Sequence, residues 1–220
     1  MLASLLVGEG RAAAAAVVTS SHYCAAERQY RMPVPYGSQR APTAQWTATA
    51  SGCCILGAQG DGPYVTHVTC GRIVDKGITD ANNMGAAMAP AALETIRAHF
   101  TDLKTGPEDF DLIVTGDLGQ VGKEALLTLS QKEGLGLGGK LTDCGTLVFD
   151  VLKQDVHAGG SGCGCSAVVL GAGFLPQMKA DVENRKRGKT TCRLLYVGTG
   201  ALLSPVTVQQ GESIPGIAHG

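Results

Sequence analysis

Between Met84 and Val197 the chain switches repeatedly between two hydrophobic periods, and this alternation restricts the fold more than composition does. Met84, Met88, Leu93, Ile96 and Phe100 return to one side of a helix, with Pro90 placed to start its regular part. Asp111 to Thr115 is a short apolar run of strand type, and Val121, Ala125, Leu126 and Leu129 mark another helix that ends at Gly134. Lys140 to Asp143 forms a further short segment, a helix begins near Ser161, and Arg193 to Val197 reads as a strand. Strands separated by helices at this spacing predict a layered α/β fold with a largely parallel sheet.

Ahead of Met84 the pattern is less regular. Leu2, Leu5 and Leu6 stand at helical spacing up to Gly8 and Gly10 with no N-cap before them, which reads as a start in the middle of an element. Ala12 to Thr19 ends in β-branched residues and predicts a buried strand. Tyr23 to Pro42 is irregular. The alternation in Trp46 to Leu56 predicts one strand, Gly57 to Pro63 a turn, and Tyr64 to Ile73 a second strand, so that the two form a hairpin.

Lys plus Arg number 18 against 19 for Asp plus Glu in 220 residues, a net charge of -1 that argues against nucleic acid or an anionic membrane as a general partner. Arg185, Lys186, Arg187, Lys189 and Arg193 form a local basic cluster that reads as a solvated connection. The 8 cysteines are scattered through apolar or glycine-rich contexts, which fits free thiols in a reducing compartment better than a disulfide framework. No apolar run approaches the roughly 20 residues that span a bilayer.

Several patterns look like chemistry. Gly134, Gly136 and Gly139 have dinucleotide-loop spacing but follow a helix, where no helix N-terminus waits for a pyrophosphate. Asp117 to Lys123 resembles a phosphate loop, yet Asp117 replaces its first glycine and Glu124 the metal-binding hydroxyl. Cys163 and Cys165 near His157 lack the second ligand pair of a structural zinc site. A cysteine nucleophile there would need a base, and of the histidines only His22, His157 and His219 lie in turn-like contexts. The run from His157 to Ser166 therefore reads as a pocket-forming turn that holds a small ligand without turning it over.

Taken together, Ser20 to Tyr23, Ala26 to Gln29, Met84-Gly85 with Ala87 to Ala92, Thr115 to Leu118, Ala158 to Ala167, and Gly198 to Pro205 through Gln210 to Pro215 resemble the stage V sporulation protein AD family. The resemblance runs the whole chain, in order. It implies the thiolase fold, two similar halves stacked as α-β-α-β-α, here with an incomplete first half. On that basis residues 1–62 correspond to the C-terminal end of the first half and residues 63–220 to a second half lacking its last strand, a fragment expected to expose part of a sheet and to dissolve poorly.

Thiolase-fold condensing enzymes carry a histidine after the second strand of the second half and an asparagine or histidine in the glycine-rich loop after the third. The corresponding positions here are Gly116-Asp117 and the Gly160 to Cys165 loop, which offer neither a base nor a neutral donor. What the resemblance implies is a non-catalytic protein, without cofactor, that binds dipicolinic acid, free or as its calcium chelate, for uptake into the developing spore. It also implies partnership with other SpoVA proteins at the spore inner membrane, where the chain would be soluble or peripheral, and pairing as a homodimer. The implied ligand residues are Ser161, Cys163, Cys165 and Ser166, with Asp117 and Gly200 at the wall. An active acyl transferase or condensing enzyme and a pure scaffold are the competing readings.

Overall fold

The computed structural model describes residues 1–23, 41–185 and 192–220. The motif Ala26 to Gln29, most of the irregular stretch and the basic residues Arg185, Lys186, Arg187 and Lys189 lie outside the described residues or side chains. In chain order the elements are α1 (Leu2–Gly8), β1 (Ala14–Ser21), β2 (Trp46–Thr47), β3 (Ala50–Gly57), α2 (Met84–Leu103), β4 (Leu112–Thr115), α3 (Gly119–Lys132), β5 (Leu141–Asp143), α4 (Cys144–Leu147), β6 (Gly160–Ser161), α5 (Cys163–Val168), α6 (Leu175–Arg185), β7 (Leu194–Ala201), α7 (Pro205–Gln209) and β8 (Gly216–His219). A π-helical turn over Val169–Phe174 joins α5 to α6.

The central sheet runs β5-β4-β7-β8. Its first two pairings are parallel, as the alternation of strands and helices predicts, and β8, for which the sequence suggests no element, closes it antiparallel to β7. Ile113 and Val114 in β4 and Val197 in β7 are fully buried, as a strand covered on both faces requires. Helix α2 supplies most of that cover through Met88, Ala92, Leu93, Ile96 and Phe100, and α3 adds Leu126. The start of α2 is fixed by Asn83, whose side chain accepts from the Ala86 amide at 3.2 Å. Pro90 lies inside the helix, six residues after its start, rather than opening it.

Three expectations fail before Met84. Trp46 to Leu56 is not one strand: β2 pairs in parallel with β6, while β3 pairs antiparallel with β1. The expected hairpin is absent, because Tyr64 to Ile73 forms no strand and β1 has taken the place beside β3. The glycine- and proline-rich connection Gly57 to Pro63 imposes no tight turn, so nothing local holds Tyr64 to Ile73 beside β3. The segment instead touches β8, with Thr69 and Gly220 exchanging two backbone hydrogen bonds of 2.8 and 3.0 Å. Finally, β1 is not buried: Val18 is 71% exposed and, across the ribbon, Ile55 is 78% exposed. The described cysteines are free thiols, and Cys53 is exposed. Among the described residues no helix is long and apolar enough to cross a membrane.

Candidate functional site

Parallel pairing brings the carboxyl ends of β4, β5 and β7 side by side, with Thr115 opposite both Asp143 and Val197. In α/β sheets this edge is where ligands collect, because the strand ends stop and the following turns diverge. Here the turns are crowded with buried polar groups. Asp143, fully buried, accepts from the Thr115 hydroxyl at 2.7 Å, the Leu118 amide at 2.8 Å, the Gly119 amide at 2.9 Å and the Gly145 amide at 2.9 Å. Burial pushes its carboxyl up to about 6 against the pull of the Thr115 and Leu118 hydrogen bonds, and the nearby Asp117 charge adds to the rise.

Asp117 sits in the turn between β4 and α3 and is 9% exposed. Its carboxylate accepts from the Gly162 amide at 2.8 Å and from the Thr199 hydroxyl at 2.8 Å, and the Thr199 oxygen in turn accepts from the Asp117 amide at 3.0 Å. One side chain thereby ties the turn to the glycine-rich loop and to β7. The Gln45 amide group, also buried, reinforces the tie by donating to the Asp117 carbonyl at 2.8 Å and the Gly160 carbonyl at 2.7 Å. There is no room beside it: Gly119 has φ of +66°, and an added Cβ would lie 2.6 Å from the Ala158 oxygen and 2.7 Å from Gln45 Nε2.

The loop itself is strapped along β2. Trp46 donates to the Gly159 carbonyl at 2.8 Å and Ala48 to the Ser161 carbonyl at 2.9 Å. Gly162, with φ of +97°, turns the chain into α5. The Gly164 amide then donates to Ser21 Oγ at 3.0 Å, the Cys165 amide to the Gly162 carbonyl at 3.0 Å, and Cys163 Sγ to the Ser20 carbonyl at 3.0 Å. The amides of Gly162, Gly164, Cys165 and Ser166, which could have donated to a carboxylate ligand, are thus committed within the protein.

The six candidate residues separate by access. Ser161 is buried, Cys165 fully so, whereas Ser166 and Gly200 are half-buried and Cys163 is exposed. Burial, with the charges of Asp117, Cys144 and Asp143 added, pushes the Cys165 thiol far up, and burial does the same to Cys144. Neither thiol is a thiolate at neutral pH. Ser166 and Thr199 flank Gly116, where an added Cβ would lie 3.1 Å from Ser166 Oγ and 2.8 Å from Thr199 Oγ1. Ser166 also bonds Tyr196, whose phenol burial pushes up. Gly200 faces Ile217 across the β7–β8 pair. The histidines in turn-like contexts are engaged elsewhere or exposed: His157 Nε2 lies 3.2 Å from Asp155, His219 Nδ1 accepts from the Gly71 amide at 3.1 Å, and His22 is exposed.

A cavity of about 610 Å³ lies between α1, the end of β3 and the segment 57–68, lined by Leu5, Val7, Ile55, Tyr64, Val65 and His67, and none of the six candidate residues borders it. Three residues of the site, Gln45, Asp143 and Thr199, were not singled out by sequence reasoning. Asp143 and Thr199 lie in segments recognised as a strand end and a glycine motif, so position carried a signal; Gln45 carried none.

The model of the family described as stage V sporulation protein AD matches residues 1–220. Stage V sporulation protein AD of Bacillus subtilis (strain 168) is 45% identical over 219 residues, covering 100% of this chain and 62% of its own length. This chain therefore spans less than two thirds of that relative. Among solved structures, 3-oxoacyl-(acyl carrier protein) synthase III, FabH, of Pseudomonas aeruginosa PAO1 superposes with a TM-score of 0.53 at 12% identity, over 99% of this chain and 62% of the other. The synthase III of Aquifex aeolicus VF5 superposes with a TM-score of 0.51 at 11% identity, over 99% of this chain and 61% of the other. The superpositions assign a thiolase-like fold and, with the family match over the whole chain, place this protein in the stage V sporulation protein AD family.

Proposed function

We propose that this sporulation-family protein is a non-catalytic member of the thiolase-like fold that binds dipicolinic acid for uptake into the developing spore. The observation that carries the reading is Asp117. At the position where the condensing enzymes of the resemblance use a histidine, the side chain is an acid whose two oxygens already accept from Gly162 and Thr199. Such a group does not relay a proton, and its charge would oppose an oxyanion. The buried, protonated Cys165 beside it supports the same conclusion.

In this reading Ser166, Gly200 and Cys163, the more accessible members, meet the ligand, and Ser161, Cys165 and Asp117 hold the loop behind them. The Ser166 hydroxyl donates to a ligand carboxylate, while apolar neighbours such as Ile217 accept the flat ring. Residues 1–62 and 63–220 then act as the end of one thiolase half and most of the next. A homodimer working with other SpoVA proteins at the spore inner membrane, taking the ligand free or as its calcium chelate, completes the proposal.

Calorimetric titration of dipicolinate into the protein tests it. Saturable heat is expected, weakened at least about tenfold in a Ser166→Ala variant, as the loss of a hydrogen bond to a charged group implies. Unchanged affinity in a folded variant removes the loop from the site. Acylation by acetyl-CoA, or its hydrolysis, would establish the condensing-enzyme alternative instead.

A further inference from the structure

The N-terminus of a helix is an anion site, because its first amides have no partner within the helix and its dipole points positive end outward. In α3, 14 residues long, that place is taken from inside the protein. Asp143 receives the Leu118 and Gly119 amides that open the helix, and the same carboxylate caps α4 through the Gly145 amide and holds the Thr115 hydroxyl at the end of β4. One carboxylate thus gathers donors from three elements. The residue between two of those anchor points, Asp117, is the one that reaches the Gly162 amide and Thr199. The titratable groups facing Asp143 are acids: Asp117 in the β4–α3 turn, Cys144 on α4 and Cys165 on α5, with Tyr196 of β7 beyond them.

We propose that Asp143 is the positioning residue of the candidate site: as a resident anion it fixes the turn Gly116 to Gly119 and, through Asp117, holds the Gly159 to Ser166 loop against β4 and β7. Being fully buried, it never meets the ligand. Its effect on binding passes through the loop, and charge-assisted hydrogen bonds of the kind it makes are about twice as strong as neutral ones. Because burial outweighs these hydrogen bonds and raises its carboxyl to about 6, the packing that seals it loses stability as pH rises through that value. The affinity consequence rests on the dipicolinate reading above; the structural consequence does not.

Iodoacetamide labelling of the native protein, resolved by peptide mass spectrometry, tests the structural part without any ligand. Cys165 reacts only when the loop opens, while exposed Cys53, outside the loop, serves as the internal control. Asp143→Ala leaves three buried amides without their acceptor and should raise the Cys165 rate at least about tenfold at constant Cys53 rate. Asp143→Asn, which keeps one acceptor oxygen, should give a smaller rise. Should Asp143→Ala fail to fold, Thr115→Val removes one donor and Thr115→Ser restores it; only the valine variant should accelerate Cys165. Dipicolinate titrations at one pH add the affinity consequence: a folded Asp143→Ala protein should bind at least about tenfold more weakly than wild type. A folded Asp143→Ala or Thr115→Val protein that labels Cys165 at the wild-type rate overturns the proposal. Wild-type protein that gives no heat with dipicolinate overturns the proposed ligand, and the labelling result still decides the role of Asp143.

Discussion

Asp117 and Asp143 show how the same side chain takes different work from its surroundings. Asp117 keeps a little solvent contact and spends its charge on Gly162 and Thr199, whereas Asp143 is sealed and serves four donors. The consequence for Asp143 is a pH dependence with a definite sign. Its folded carboxyl titrates near 6 against 3.8 in the open chain, so between those values the folded protein holds a proton that the unfolded chain has released. Stability contributed by this group is therefore present below about 3.8 and is lost as pH rises through about 6. At 1.36 kcal/mol per unit the loss is about 3 kcal/mol. Urea denaturation at a series of pH values should show this decline in wild type and not in Asp143→Asn; parallel curves would mean that the carboxyl titrates as it does in water.

Elements here are decided by their ends as much as by their faces. Helix α2 follows its apolar stripe, yet it starts at the Asn83 cap and simply runs through Pro90, whose missing amide falls in the second turn. Helix α3 begins where Gly119 adopts φ of +66° under the Ala158 carbonyl and Gln45. Gly119→Ala combines a strained backbone with a contact that cannot open without moving the loop, and should cost about 2 kcal/mol. That corresponds to a melting temperature lower by roughly 4–8 °C in a chain of this size. Gly136→Ala, where an added Cβ meets nothing within 4 Å, is the control and should leave the melting temperature unchanged. Equal melting for both variants would show that the α3 corner is slack.

At the scale of the molecule, the β1–β3 ribbon packs one face on α5 and turns the other to solvent. Paired residues of that outer face, Ala16 with Ile55 and Val18 with Cys53, are exposed, and no charge interrupts the strip. An uncharged sheet face of this kind favours association. The protein should scatter light increasingly with concentration, and an Ala16→Lys/Ile55→Glu double variant, which places opposite charges on one cross-strand pair, should suppress this with no change in circular dichroism. Monodisperse wild-type protein at millimolar concentration would contradict it. The sequence alone determined the alternation of β4, α3, β5, α5 and β7, because local periodicity and the glycine stops record which face of each element is apolar. It also marked the His157 to Ser166 run as a pocket-forming turn, with Asp117 beside it. It did not determine which strands pair: β3 met β1 rather than Tyr64 to Ile73, since strand pairing depends on partners far apart in the chain and the connection between 57 and 63 imposed no register. Nor did it reveal that Gln45 and Asp143 hold the site, because a buried polar residue is recognised by the donors that surround it, and only the tertiary structure brings Thr115, Leu118, Gly119 and Gly145 to one carboxylate.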